Sequence, residues 1–128
     1  MVTICADLQA ELAALDAIVS PLDESGWNTQ TPAAGWLVRD QIAHIGGTDR
    51  IATIAAGEPK RFQNDILTQD RSARAARQHQ EIEHLSGAEL VNWWRSGRKA
   101  MLQVFLPLDP KARIPWFGPA MSAVSFAT

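Results

Sequence analysis

The sequence contains few of the features that mark several large classes of protein. Its 128 residues include one cysteine, no tyrosine and no long apolar run. A single cysteine, Cys5, cannot form an intramolecular disulfide, which favours a reducing compartment. No segment approaches the ~20 apolar residues of a membrane-spanning helix. Asp7 and Glu11 also interrupt the apolar run that a signal peptide needs. We therefore expect a cytoplasmic protein with no membrane partner.

An excess of positive charge is also absent. The formal net charge is −2 at pH 7, whereas nucleic-acid-binding domains usually carry a basic excess. We therefore expect no nucleic-acid partner. The chain is long enough to bury one hydrophobic core and too short for two domains. Residues 1–128 are accordingly interpreted as a single domain.

Apolar residues recur at helical spacing through most of the chain, which predicts an all-α fold. The predicted helices cover about residues 3–20, 38–56 and 65–83, and a fourth begins at Ser86 and ends before Pro107. A capping box, Ser86 with Glu89, marks the start of that fourth segment. Gly118-Pro119 resembles a further helix start, with proline at the first helical position. The apolar stripe of the segment after Ser86 consists of Leu90, Trp94, Gly97, Met101 and Phe105.

His44 is the candidate functional residue of the second predicted helix. It lies on the flank of the apolar stripe formed by Val38, Ile42, Ile45 and Ala52. A polar flank of this kind is where a helical bundle presents a ligand to an internal cavity. The alternative is a core histidine whose ring is satisfied by a nearby carbonyl or carboxylate group. One imidazole cannot hold zinc alone, since catalytic zinc sites use three protein ligands and an open position.

The third predicted helix, residues 65–83, is strongly polar. Glu81 and His84 have the Glu-x-x-His spacing of di-iron bundles, but such sites need two of these motifs and the chain has one. His79 and Glu83 are four residues apart, a spacing that also fits a shared metal. The polar surroundings of both pairs favour a solvated, charged helix face.

Arg71, Arg74 and Arg77 form a basic stripe on the same helix. This stripe could serve an anionic partner. The spacings of Asp70 to Arg74 and of Arg77 to Glu81 predict opposite-charge pairs, which favour a solvated face instead.

Two segments of the sequence resemble a known family. The segment from Trp27 to Ile45, WNTQTPAAGWLVRDQIAHI, resembles the opening of DinB-like proteins of the mycothiol-dependent maleylpyruvate isomerase type, in their N-terminal metal-binding domain. The segment from Ile114 to Ser122, IPWFGPAMS, resembles the approach to the last bundle helix of that family. Leu37 departs from the pattern, because relatives commonly carry a capping serine or threonine there. Asp40, in the first turn, can still oppose the helix dipole.

The resemblance implies a four-helix bundle with a divalent metal, usually zinc, at one end. By position, His44 matches the histidine ligand of the second bundle helix. The other two ligands of the family come from the fourth helix, and here the sequence stops at Thr128, with that helix only begun. We therefore expect residues 1–128 to be an incomplete metal-binding domain. Asp40 is expected to orient the imidazole or to form a salt bridge with Arg39 or Lys60, and Trp36 and Thr48 are pocket candidates.

The same resemblance implies a function. In the family, the metal binds a low-molecular-weight thiol, mycothiol, and thiolate addition to a cis double bond permits isomerisation of a small-molecule substrate. Some relatives resemble thiol transferases. The alternative is a non-enzymatic helical module or fragment whose uncovered apolar groove accepts a partner helix or a second copy of the chain.

Overall fold

The computed structural model describes residues 1–128 as an all-α bundle. Its long helices are α1 (Val2–Val19), α3 (Val38–Gly57), α5 (Arg71–Ile82) and α6 (Gly87–Phe105). The shorter ones are α2 (Glu24–Trp27), α4 (Pro59–Arg61), a π-helical turn (Phe62–Ile66) and α7 (Ala123–Ala127). Strands β1 (Arg113–Ile114) and β2 (Met121–Ser122) pair antiparallel. None of the helices combines the length and the hydropathy that a membrane span requires.

The centre of the bundle is the contact between α3 and α6. All five residues of the stripe predicted on α6 are buried, and Trp94 has no exposed surface. The predicted capping box is present, because the Glu89 carboxylate accepts a hydrogen bond from the Ser86 N–H at 2.8 Å. On α3, Ile42 and Ala52 are buried as expected, whereas Val38 and Ile45 are half-buried. Periodicity and capping thus predicted α6 more accurately than α3.

Helix α1 packs on α6 and on α7. Cys5, Leu12 and Val19 are its buried residues, so Cys5 is a small core residue of the bundle. Burial raises the pKa of the Cys5 thiol. Near the C-terminal end of α1, the Asp16 carboxylate accepts hydrogen bonds from Arg95 at 2.7 and 2.8 Å and from Arg98 at 2.8 Å. These ion pairs fix the register of α1 against α6.

The first residues of α6 meet α2 closely. The Gly87 N–H donates to the Glu24 carboxylate at 2.7 Å. A Cβ atom at Gly87 would lie 2.0 Å from the Trp27 ring, so only glycine permits this approach. Trp27 is 1% exposed and anchors the connection that leads from α1 to α3.

Two predicted boundaries are wrong. The helix expected over residues 65–83 is divided, because the π-helical turn ends at Ile66 and α5 begins only after Asp70, whose carboxylate caps the Ala73 N–H at 2.8 Å. The last helix begins at Ala123 and not at Gly118-Pro119. Met121 and Ser122 pair with β1, which keeps that backbone extended, and the Ser122 hydroxyl then caps the Ser125 N–H.

Candidate functional site

Two adjoining depressions lie between α3 and α5, and His44 lines both. The first, of about 350 Å³, also contains Trp36, Asp40 and His79, and we call it the Trp36 depression. The second, of about 320 Å³, contains Thr48 and Phe117 among its lining residues, and we call it the Phe117 depression. The structure therefore brings His44 together with the pocket candidates that the sequence singled out.

The His44 side chain is exposed and makes no hydrogen bond to another residue of the chain. Its ring meets the Trp36 ring edge to face, with 5.4 Å between the ring centroids and an angle of 83° between the planes. The alternative of a core histidine satisfied by a carbonyl or carboxylate is thus wrong. The ring also does not point into the bundle interior. It forms part of the wall of two open depressions, and neither ring nitrogen has a hydrogen-bond partner in the chain.

Asp40 does not orient His44. Its carboxylate accepts a hydrogen bond from the Leu37 N–H at 2.8 Å and so caps the first turn of α3. The expected alternative, a salt bridge with Arg39 or Lys60, is also absent, since Arg39 donates to the Leu85 carbonyl instead. This contact is the half of a capping box that the third helical residue supplies, while Leu37 has no side-chain acceptor for the first N–H groups of the helix.

Trp36 and Thr48 occupy different parts of the site. Trp36 is 38% exposed and lines only the Trp36 depression. The Thr48 hydroxyl donates to the His44 carbonyl at 3.0 Å and lines the Phe117 depression. Thr48 therefore bonds to the backbone of His44, while Trp36 contacts its ring.

Gln78 of α5 connects the two sides of the site, and the sequence analysis did not identify it. Its amide donates to the Ala43 carbonyl at 2.7 Å and lines both depressions. A Cβ atom at Gly47 would lie 2.2 Å from that amide, so the glycine permits the close approach of α5. Two adjacent glycines inside a long helix, Gly46-Gly47, were the sequence signal for such an approach.

The acidic partners expected for the basic stripe of α5 are engaged elsewhere, so the predicted opposite-charge pairs are wrong. Asp70 caps α5, and Glu81 accepts a hydrogen bond from the Trp93 indole at 3.1 Å. Arg74 lies over the Phe117 ring, 4.8 Å from its centroid, and donates to the Ile66 carbonyl. The competing partners are backbone groups and an indole N–H, which the spacing rule for charged pairs within one helix does not include.

Asp49 is a second residue that the sequence analysis missed. It is 7% exposed, and its Oδ2 atom has no hydrogen-bond partner. Burial raises its pKa to about 6, and the neighbouring Trp94 indole and the charges of Arg98 and Arg50 only partly oppose that shift. Its position, seven residues after Ile42 on the same stripe, was the signal that could have revealed a buried carboxylate.

Asp49 and Thr48 also line a third cavity, of about 240 Å³, together with Thr128 of the α7 end. Thr128 and the turn of α3 that follows His44 therefore line one cavity. This cavity is mostly apolar and adjoins the Phe117 depression through Thr48, but His44 is not among its lining residues.

The structure brings no set of metal-ligating side chains together around His44. No group of three or more histidine, cysteine, aspartate or glutamate side chains in residues 1–128 is arranged to hold a metal ion. His79 lies in the Trp36 depression, but its Nε2 atom is 3.4 Å from the Glu83 carboxylate on an exposed face. A zinc site needs three protein ligands, and at His44 the chain provides one imidazole with no competing partner.

Comparison with known proteins identifies relatives over almost the whole chain. Two curated relatives from Mycobacterium tuberculosis, one from strain CDC 1551 / Oshkosh and one from strain ATCC 25618 / H37Rv, are described as uncharacterized proteins. Each is 36% identical over 137 residues, which cover 96% of this chain and 49% of the relative. The chain thus spans about half the length of these relatives. No solved structure matches it.

A family model places the chain more specifically. The model described as the mycothiol maleylpyruvate isomerase N-terminal domain matches residues 8–128. This match includes α3 with His44, both depressions and the α7 end. The chain therefore belongs to the family of mycothiol maleylpyruvate isomerase N-terminal domains.

Proposed function

We propose that this chain is the metal-binding domain of a thiol-dependent isomerase or transferase and that His44 supplies one ligand to a divalent metal, zinc by expectation. One observation carries the proposal. The His44 imidazole is exposed, has no hydrogen-bond partner and lines both depressions between α3 and α5. An exposed imidazole with no protein hydrogen-bond partner is free to coordinate a metal that enters the depressions.

The remaining ligands come from outside residues 1–128 in this proposal. The position of α7 supports it, because Thr128 lines the same cavity as Thr48, which follows His44 by one helical turn. In a longer protein, the residues that follow Thr128 would continue from this position. The twofold greater length of the relatives is consistent with such a segment.

In this proposal the reactive group of the site is the thiol of a bound small molecule. A bound divalent cation favours the thiolate form of a low-molecular-weight thiol, mycothiol by family expectation, and the thiolate is the nucleophile. The Trp36 ring restricts the rotation of His44 by packing against its edge. Gln78 holds α5 against α3, so that the depressions keep their shape around a small-molecule substrate.

Zinc binding by the natural gene product that contains these residues tests the proposal. We expect one zinc ion per chain by isothermal titration calorimetry, and His44→Ala should weaken binding by at least about tenfold. His79→Ala is the matched control, because His79 lines the same depression on an exposed face. Zinc binding that His44→Ala leaves unchanged would contradict the proposal.

The thiol can be tested in the same protein. When cobalt(II) replaces zinc, a low-molecular-weight thiol such as N-acetylcysteine should change the visible absorption of the bound metal, and only with His44 intact. A gene product that binds neither metal nor thiol would favour the alternative, a non-enzymatic helical interaction module. Oligomerisation through an uncovered groove stays a prediction of that alternative.

A further inference from the structure

The α5 side of the site carries positive charge that the chain does not neutralise. Two arginines, Arg71 and Arg74, line the Phe117 depression together with His44, and no carboxylate is among its lining residues. Neither arginine has a carboxylate oxygen within salt-bridge distance, since the ion pairs of the chain are formed by other residues. An overall negative chain therefore has an electropositive depression beside its candidate metal ligand.

A neighbouring depression extends the region of positive electrostatic potential. It has a volume of about 420 Å³ and is lined by Arg50, Arg61, Arg74 and Arg77, with Glu81 as its one carboxylate. Of these four arginines only Arg61 has an acidic partner, Glu58, at 2.9 Å. Arg74 lines both depressions, so its positive charge raises the electrostatic potential in each of them.

Contacts hold three of these guanidinium groups in place, those of Arg50, Arg74 and Arg77. Arg74 stacks on Phe117 and donates one Nη1 hydrogen bond to the Ile66 carbonyl, which leaves Nη2 and Nε free. Arg77 donates to the Gln69 side chain at 3.1 Å, and Arg50 lies 4.4 Å from the Trp93 ring centroid. Fixed guanidinium groups with free N–H donors match the planar geometry of carboxylate and phosphate groups.

We propose that the Phe117 depression binds a carboxylate or phosphate group of a small anionic ligand through Arg71 and Arg74. Arg50 and Arg77 contribute attraction at longer range. The proposed anion binding rests only on the arginines. The further proposal that the bound anion is part of the substrate rests on the proposed function. In that assignment the anionic group is held by α5 while the reactive part of the substrate lies toward His44, because both groups line one depression.

Binding of two simple anions tests the site. Inorganic phosphate and succinate are titrated into the 128-residue chain at low ionic strength, and the Trp116 indole resonance, assigned with Trp116→Phe, reports on the depression that it lines. We expect a saturable shift that chloride weakens. Preference for succinate would indicate a carboxylate ligand, and preference for phosphate would indicate a phosphate ester. Absence of a saturable shift with either anion would overturn the proposal.

Variants that remove one positive charge distinguish anion binding in the Phe117 depression from non-specific attraction by the charge of the protein. Arg71→Gln and Arg74→Gln should each weaken anion binding by about tenfold, the effect expected for losing a charge-assisted hydrogen bond. Lys111→Gln removes the same charge at an exposed position outside the depression and should leave binding unchanged. An equal loss in Lys111→Gln would overturn the proposal. Arg71 makes no packing contact comparable to the stacking of Arg74 on Phe117, so Arg71→Gln tests binding without disturbing the fold.

His44→Ala separates the two proposals. We expect it to weaken zinc binding by the natural gene product at least about tenfold. Phosphate or succinate binding should stay within about twofold of the wild type, because the arginines donate the charge-assisted hydrogen bonds to the anion. Anion binding that disappears in His44→Ala but persists in Arg71→Gln and Arg74→Gln would overturn the arginine site without affecting the metal proposal. Zinc binding that survives His44→Ala would contradict the metal proposal alone.

Discussion

The two sides of helix α3 differ in what they contact. The side that faces α6 meets Trp93 and the fully buried Trp94, whereas the side that faces α5 is held by one hydrogen bond from Gln78. The two adjacent glycines face different sides of the helix. A Cβ atom at Gly46 would meet the Trp93 ring of α6, and one at Gly47 would meet the Gln78 amide of α5. The contrast indicates that the α6 side maintains the fold and that the α5 side leaves polar groups free for ligands.

Two tryptophans provide the strongest test of this contrast. Trp94→Ala should lower the free energy of unfolding by about 3–5 kcal/mol, because it removes a fully buried aromatic side chain. Trp36→Ala, on the ligand side and 38% exposed, should cost less than about 1 kcal/mol. Urea denaturation of both variants measures the difference. Equal losses would show that the two sides contribute alike to the fold.

Asp49 is a buried carboxylate on the α3 turn that follows His44. Its contribution to the free energy of unfolding depends on pH. Its folded pKa of about 6 lies above its ordinary value of 3.8, so the native state binds more protons between these values. Its favourable contribution is complete below pH 3.8 and is lost as pH rises through about 6. Asp49→Asn should therefore stabilise the protein at pH 7.5 by up to about 3 kcal/mol, with a smaller gain at pH 5.

Asp16→Asn is the control, because it should change the free energy of unfolding in the opposite direction. The hydrogen bond from Arg95 lowers the pKa of Asp16, so its contribution is present above pH 3.8 and is lost as pH falls. This variant should destabilise the protein at neutral pH. A gain from Asp49→Asn that does not depend on pH would contradict the raised pKa.

The adjacent glycines give a test of intermediate size. Gly46→Ala should lower the free energy of unfolding by about 1–3 kcal/mol, because the new methyl group overlaps the Trp93 ring. Gly47→Ala meets only the end of a flexible side chain, and the higher helix propensity of alanine offsets part of its cost. Thermal unfolding should place Gly47→Ala within about 1 kcal/mol of the wild type.

The smallest expected effect is local. Gln78→Ala removes the hydrogen bond to the Ala43 carbonyl, which contributes about 1 kcal/mol. Hydrogen exchange in α5 should accelerate by about fivefold while exchange in α6 stays unchanged. Gln80→Ala, an exposed glutamine of the same helix, is the control. Faster exchange in α6 as well would show that α5 is part of the main cooperative unit.

Local rules predicted the elements whose partners lie nearby in sequence. The capping box of α6 and its buried stripe depend on spacings of three to four residues within one helix. The family resemblance of residues 27–45 also identified His44, and the structure places it at the site together with Trp36. Its role as a metal ligand stays a prediction.

Predictions failed where a distant residue competed for the same group. Glu81 was expected to pair with Arg77, but the Trp93 indole is twelve residues away and donates to it. Met121 and Ser122 were expected to be helical, but β1 holds them in an extended conformation. In each case a contact formed by folding replaced the arrangement that local spacing predicts.

The sequence by itself determined the all-α class, the register of the buried stripe on α6 and the family, because each depends on short periodic patterns or on a contiguous motif. Only the tertiary structure decided that His44 is exposed beside Trp36, that Asp49 is buried and that Arg71 and Arg74 have no acidic partner. These properties depend on which helices pack together. Packing sets both the access of water to a side chain and the partners within reach of its charge.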